Sequence, residues 1–246
     1  MKRYSIGIIS ALLAIAPSAG FCLDALSKDS TQDRVGHLKA GAESGDANVQ
    51  YELAMKYYYG HGAAQDYAEA MKWLRLSAAK GSAAAEYAIG IMYNHGYGVK
   101  QDYAEAMGWF RRSAAKGNDN AHNQIGYMYQ HGWGVTPDYA ESMKRYRIAL
   151  KKGNTAAEDN IGVLYEHGQG VKLDYLEAKK WYQLAAEHGN NEGELNIGLL
   201  YLEGHGVPQD YAEALKWFES AASKGNEEAK QHIEEMKAKG LVRSHK

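Results

Sequence analysis

One interval organises this chain: the dipeptide Asp-Tyr begins at Asp66, Asp102, Asp138, Asp174 and Asp210, each 36 residues after the last. Glycines keep the same step at Gly81, Gly117, Gly153, Gly189 and Gly225, and again at Gly96, Gly132, Gly168 and Gly204. So do Ile89, Ile125, Ile161 and Ile197. Self-similarity at such a period means stacked supersecondary units, because one short unit cannot bury its apolar face without its neighbours.

Within the period, the pattern predicts two helices. Ser82, Asn118, Asn154, Asn190 and Asn226 follow the periodic glycines as N-caps, with Asp46 in the earliest copy. After Ser82, the residues Ala85, Ile89, Gly90 and Tyr93 share one face at helical spacing. A glycine inside a helix costs about 1 kcal/mol against alanine. Its return at Gly126, Gly162 and Gly198 therefore predicts the close approach of a neighbouring helix. The second helix opens at Asp-Tyr, with Asp66 as cap and Glu69 completing an acidic capping box. Ala70, Leu74, Ser77 and Ala78 form its inner stripe. Lys80 suits the negative end of the helix dipole, and Gly81 supplies a left-handed ending.

No strand-length alternation intervenes, so the expected fold is all-α. It is an α/α solenoid of five 36-residue helix-turn-helix repeats, at 46–81, 82–117, 118–153, 154–189 and 190–225. Capping helices are expected in 23–45 and 226–246. The ends depart from the repeat as caps must: residues 31–44 are a degenerate second helix. In the last copy, Glu234, Glu235 and Lys237 replace Gly, an apolar residue and Tyr.

Ahead of the repeats, Lys2 and Arg3 precede an apolar run from Ile6 to Ala16, then Pro17 and small residues. That order predicts a secretory signal peptide over 1–22, cut between Ala19 and Leu23. The run is too short for a bilayer, which needs about 20 residues. The sole cysteine, Cys22, follows bulky Phe21, where a lipoprotein signal needs a small residue. The mature chain is thus expected in the periplasm or secreted. It would have no disulfide, although the compartment permits one, and no membrane insertion after cleavage. Loss of Lys2 and Arg3 takes the formal charge from −2 to −4, unlike the basic footprint of a nucleic-acid binder.

The stretch "QIGYMYQHGWGVTPDYAESMKRYRIALKKGN" resembles a Sel-one-like (Sel1-like) repeat, a close relative of the tetratricopeptide repeat. The elements that carry the likeness are "IGxxY", "GxGV" and "DYxxAxxWxxxAAxxG", over residues 46–225. Departures are Ala54 for the helix glycine, Arg145 for tryptophan and Ala63 for valine. The resemblance implies a right-handed superhelix whose first helices line a concave surface. It also implies an adaptor for other proteins, often in bacterial envelopes or secreted toward hosts. Some relatives are periplasmic immunity proteins for antibacterial toxins, and some cysteine-rich ones are described as binding or hydrolysing β-lactams.

Several motifs invite chemistry. "NHGYGVKQDY" looks like a phosphate loop, but Asp102 and its counterparts put a carboxylate at the helix N-terminus an anion would need. P-loop lysine and hydroxyl residues are absent. His95, His131 and His167 share one phase. Successive helices lie about 8–10 Å apart, too far for one zinc with ligands at about 2 Å. Packing near a helix C-terminus, or a pH-sensitive contact surface, fits them better. "SAAK" at Ser77–Lys80 and Ser113–Lys116 matches S-x-x-K. The same phase holds Ala149, Ala185 and Ala221, and no K-T-G or S-D-N accompanies it, so a packing role is expected. Trp73, Trp109, Trp181 and Trp217 read as core, and Arg75, Arg111 and Arg147 as a solvated face.

Positions that change while their neighbours stay fixed mark a binding surface on the first helices. They are Tyr51, Met55, Tyr58 and Tyr59, then Tyr87, Ile91, Asn94 and His95, then Asn123, Tyr127, Gln130 and His131. Asp159, Val163, Glu166 and His167 follow, then Leu195, Leu199, Leu202 and Glu203. Aromatic anchors among adaptable polar groups suit protein recognition. Tyr51, Tyr58, Tyr127 and His131 are expected to be largely solvent-accessible. The expected function is a non-enzymatic scaffold for a protein or peptide partner, with no cofactor and no metal. A specific form is a toxin inhibitor or immunity protein. A peptidoglycan or carbohydrate binder and a weak β-lactam hydrolase are the alternatives.

Overall fold

The computed structural model describes residues 28–242, with side chains from Val35 onward. The expected leader at 1–22 and the start of the N-terminal cap lie outside the described residues. Among those residues there are twelve α-helices and no strand. α1 (Lys28–Glu43) is the N-terminal cap, and α12 (Glu227–Ala238) is the C-terminal one. Between them the first helices are α2 (Ala47–Tyr59), α4 (Ala83–His95), α6 (Asp119–His131), α8 (Ala156–His167) and α10 (Asn191–Glu203). The second helices are α3 (Tyr67–Ala79), α5 (Tyr103–Ala115), α7 (Tyr139–Lys151), α9 (Tyr175–Glu187) and α11 (Tyr211–Ser223). Two compact units result, one of α1–α6 ending at Asp138 and one of α7–α12 beginning at Tyr139.

The caps follow the sequence closely. Asp46, Ser82, Asn118, Asn190 and Asn226 each accept a backbone N–H from the first turn of the helix they precede. Asn154 is the exception. α8 begins at Ala156 behind an uncapped Thr155, and the Asn154 carbonyl instead accepts from Ala157 in a tight i→i+3 turn. Asp66, Asp102, Asp174 and Asp210 cap their second helices through the side chain. The acidic capping box does not form. The Asp66 N–H donates to the Tyr57 carbonyl at 2.9 Å, while the Glu69 carboxylate accepts from the Trp73 indole at 3.1 Å. Glu213 and Trp217 repeat that bond. In the third repeat, where Arg145 stands for tryptophan, its guanidinium donates to Glu141 at 2.6 Å. A cationic donor thus replaces the indole on the same carboxylate.

The glycine inside the first helix marks where the second helix presses closest. A β-carbon added at Gly90 would stand 2.6 Å from the Phe110 ring; at Gly162 and Gly198 it would meet Tyr182 and Phe218 at 2.5 Å. Phe110, Tyr182 and Phe218 are fully buried, so these rings sit on bare backbone. The first repeat solves the same problem differently. Ala54 replaces glycine where Leu74, smaller than an aromatic, occupies the facing position, and both are fully buried. Volume is conserved across the pair, as close-packed interiors require.

Gly90→Ala is therefore expected to destabilise the protein by about 1–3 kcal/mol through overpacking. Adding Phe110→Leu should recover part of that loss, read as a coupling energy in a double-mutant cycle by urea denaturation. Simple additivity of the two changes would contradict the packing account.

Candidate partner-binding rim

Each repeat turns between its helices on a Gly-x-Gly connector, whose geometry follows from its residues. The first glycine ends the first helix in the left-handed region, with φ of 75° at Gly96 and 71° at Gly132. The second is held by contact. A β-carbon at Gly98 would stand 2.5 Å from Cβ of Tyr67, and one at Gly134 would stand 2.6 Å from the Tyr103 backbone. In the other unit, Gly170 presses on Tyr139 and Gly206 on Tyr175 in the same way. The connector of one repeat thus rests on the start of the preceding repeat's second helix. The aspartate N–H then closes the loop onto a first-helix carbonyl: Asp66 to Tyr57, Asp102 to Tyr93, Asp138 to Tyr129, Asp174 to Tyr165 and Asp210 to Tyr201, all at 2.9–3.0 Å.

The residue between the glycines lands on that same tyrosine. Tyr97 stacks on Tyr67 at 5.3 Å and 11°, Trp133 on Tyr103 at 5.1 Å and 22°, and His205 on Tyr175 at 4.6 Å and 20°. Tyr58 meets Tyr59, Tyr67 and Tyr97 edge-on, and His95 stacks on Tyr97. His131 lies 4.1 Å from the Tyr127 ring and 5.6 Å from Trp133. Gln65 and Gln101 donate to a carbonyl at the end of the first helix and to the hydroxyl of Tyr67 or Tyr103, and Gln209 donates to the Leu202 carbonyl. Leu173 takes this position in the fourth repeat, and Leu176 replaces the alanine seen at Ala68, Ala104, Ala140 and Ala212.

The inner surface expected on the first helices needs correction. Tyr87, Ile91, Asn94, Asn123, Gln130 and Leu195 are buried. The reason is stacking: Tyr87 and Ile91 pack with Ala121, Ile125 and Met128 of the following repeat's first helix. These positions therefore face a neighbour rather than solvent. Tyr51, Met55, Tyr58, Tyr127, His95 and His131 are half-buried, not largely accessible, as are Asp159 and Glu166. Tyr59 and His167 are exposed. Burial pushes the Tyr51, Tyr58 and Tyr127 hydroxyls above the ordinary phenol range and the His95 and His131 imidazoles below theirs. Those two histidines are ring-packing groups rather than charges on a helix end. Among the described residues no group of three or more His, Cys, Asp and Glu is placed to hold a metal ion.

Side chains that read as inert turn out to bind repeats together. Arg75 donates to the Tyr93 hydroxyl and Arg111 to Tyr129, at 3.0 and 2.9 Å, each reaching the next repeat. Lys179 does the same to Tyr201 at 2.7 Å. The regular spacing of eighteen or so residues between arginine and tyrosine was the available signal. Ser77 and Ser113 are fully buried, and their hydroxyls donate to the carbonyls of Ala47 and Ala83. Lys116 is held by Glu86. The S-x-x-K residues are fastenings inside a repeat.

Among the described residues, the exposed large apolar side chains are Tyr59, Leu76, Tyr97, Tyr139, Leu173 and Leu176. All except Leu76 lie in a connector or within two residues of one. Each unit therefore carries its exposed aromatic and aliphatic surface chiefly on the connector rim.

Helix pairs, connector and period together define an all-α helical repeat protein. The Sel1 repeat profile matches residues 47–82, 83–118, 119–154, 155–190 and 191–226, and the chain belongs to the Sel1 repeat family. These bounds lie one residue after those read from the sequence. Members of the family serve in general as non-enzymatic protein-interaction scaffolds. A Sel1 repeat protein from Oxalobacter formigenes is similar in structure, with 28% identity, 85% of this chain and 83% of that chain covered, and a TM-score of 0.75. So is c5321, a protective antigen of uropathogenic Escherichia coli strains, with 33% identity and a TM-score of 0.61. That match covers 86% of this chain but 53% of the antigen, so this chain spans about half its length. The immunity protein Pa5087 of Pseudomonas aeruginosa shares the fold at 17% identity, with 82% and 84% covered and a TM-score of 0.51. A search of curated protein sequences gave no match.

Asp159 offers a test of the inner surface of α8. It accepts from the Asn196 amide at 2.8 Å, and burial pushes its carboxyl from 3.8 to about 7, with Glu192 and Glu166 adding repulsion. A folded pKa above the unfolded one gives stability that is present below pH 3.8 and lost as pH rises through about 7. Asp159→Asn is expected to flatten that fall, measured as thermal midpoint against pH.

Proposed function

We propose that this protein is a non-enzymatic scaffold that holds a protein or peptide partner on its connector rims, and that it works in the periplasm or secreted after loss of its leader. The observation that carries this reading is the concentration of exposed apolar side chains on the connectors. Rigid aromatic and aliphatic groups on a fixed frame supply contact area at low entropic cost, as binding surfaces require. The fourth repeat strengthens it. Leu173 stands where Gln65, Gln101 and Gln209 tie the connector, Leu176 stands where the other repeats have a small alanine, and both leucines are exposed, at 48% and 57%. Neither substitution helps the connector close, so a partner is the natural reason for them.

The narrower reading, an inhibitor or immunity protein for a secreted toxin, draws its support from the Pseudomonas aeruginosa immunity protein, whose likeness is one of fold. The β-lactam hydrolase reading loses its nucleophile, since Ser77 and Ser113 are buried and already donate to backbone carbonyls. The carbohydrate reading gains little from rings whose faces are stacked on one another.

The test uses two pairs of substitutions. Leu173→Gln with Leu176→Ala restores the residues of the first, second and fifth repeats, and Tyr59→Ser with Tyr97→Ser strips the other unit's rim. A partner captured from periplasmic extract should bind each double variant tenfold or more weakly, a loss of about 1.4 kcal/mol or more by calorimetry. Unchanged affinity for both variants would overturn the rim as the binding surface.

A further inference from the structure

The carbonyl and carboxylate fastenings inside the repeats differ in one place, and the difference is titratable. At the ends of α3, α5, α9 and α11 a cation reaches back to the start of the first helix it packs on. Lys80 donates to the Gly45 carbonyl. Lys116 pairs with Glu86 at 2.8 Å, and Lys224 pairs with Glu194 at 2.9 Å. Glu86 and Glu194 are buried, so each lysine neutralises a carboxylate that water hardly reaches. In the fourth repeat the carboxylate is Glu158, the most buried of the three at 1% exposure, and the cation is His188. Its Nδ1 lies 2.8 and 3.0 Å from the two carboxylate oxygens.

We propose that the fourth repeat carries a proton-operated latch, in which protonated His188 fastens α9 to the start of α8 and its deprotonation loosens that pair. An ammonium group keeps its charge across the neutral range; an imidazole does not. When His188 loses its proton, a buried carboxylate is left facing a neutral ring, and a buried charge without a counter-charge is costly.

The groups around the latch act in one direction. Glu158 on α8 is the first cause that raises the His188 pKa above 6.5, and Glu187 on α9 adds to it. The chain continues through Gly189 into uncharged Asn190 and Asn191, and Lys224 of the next repeat is engaged by Glu194. A folded pKa raised above the unfolded one gives stability that is full below about pH 6.5 and lost as pH rises through the folded value. Asp159 adds a loss of the same sign that is still in progress at about pH 7. The latch is therefore read with Asp159→Asn in place, which removes that titration.

The experiment is amide hydrogen exchange on the full chain carrying Asp159→Asn between about pH 6 and about pH 9, corrected for intrinsic rates, comparing residues 157–161 with 85–89. In this background, protection at 157–161 should fall several-fold over this range while 85–89 stays level. His188→Lys should abolish the fall. Lys116→His should transplant it to 85–89, which keeps the test decisive if changes in the fourth repeat unfold it. Level protection at 157–161 in this background, or a fall that persists when His188→Lys is added to it, would overturn the latch. Neither outcome depends on partner binding, so the latch and the rim fail separately.

Discussion

The contact on which the rest depends is the one between the second connector glycine and the tyrosine that opens the preceding repeat's second helix. Gly98 on Tyr67 and Gly134 on Tyr103 bring backbone against backbone within each step of the stack. That approach places the ring between the glycines over the tyrosine and sets how far one repeat is offset from the next. The helix glycine plays the complementary part inside a repeat, where Phe110, Tyr182 or Phe218 rests on bare backbone. One glycine fixes the step from repeat to repeat within a unit, and the other fixes the thickness of a repeat. The apolar core then fills the space these two distances leave.

Much of this was legible in the residues because repetition within one chain exposes structural constraint directly. Period, helix count, caps and the left-handed glycines all belong to positions that stay constant. The Ala54–Leu74 pair could be read the same way, as one size exchange against another. What the residues concealed was direction. Tyr87 and Asn123 vary between repeats, and variation suggested a surface; both are buried. Periodicity states which residues share a helix face. It does not state whether that face meets solvent or the next helix, when helices lie on both sides.

The same limit applies to charge. Arg75 and Arg111 project from the outer side of second helices, as a solvated face would have them. Their guanidinium groups nonetheless end on tyrosine hydroxyls of the following repeat. Long side chains reach across a groove that sequence spacing alone cannot measure. The tetrapeptide S-x-x-K shows the converse. Its residue types suit acyl transfer, yet a fully buried hydroxyl donating to a carbonyl has no free path to a substrate.

The loop-closing bond from each connector aspartate to a first-helix tyrosine carbonyl has a consequence for how such a chain can change. Every connector spans the same number of residues between those two atoms, and both ends are anchored in helices. An inserted or deleted residue would break the bond, rotate the next helix off its cap and shift every later contact by part of a turn. Diversity must therefore enter by exchange of side chains at fixed length. The constant interval of 36 is then a mechanical tolerance rather than a mere relic of duplication.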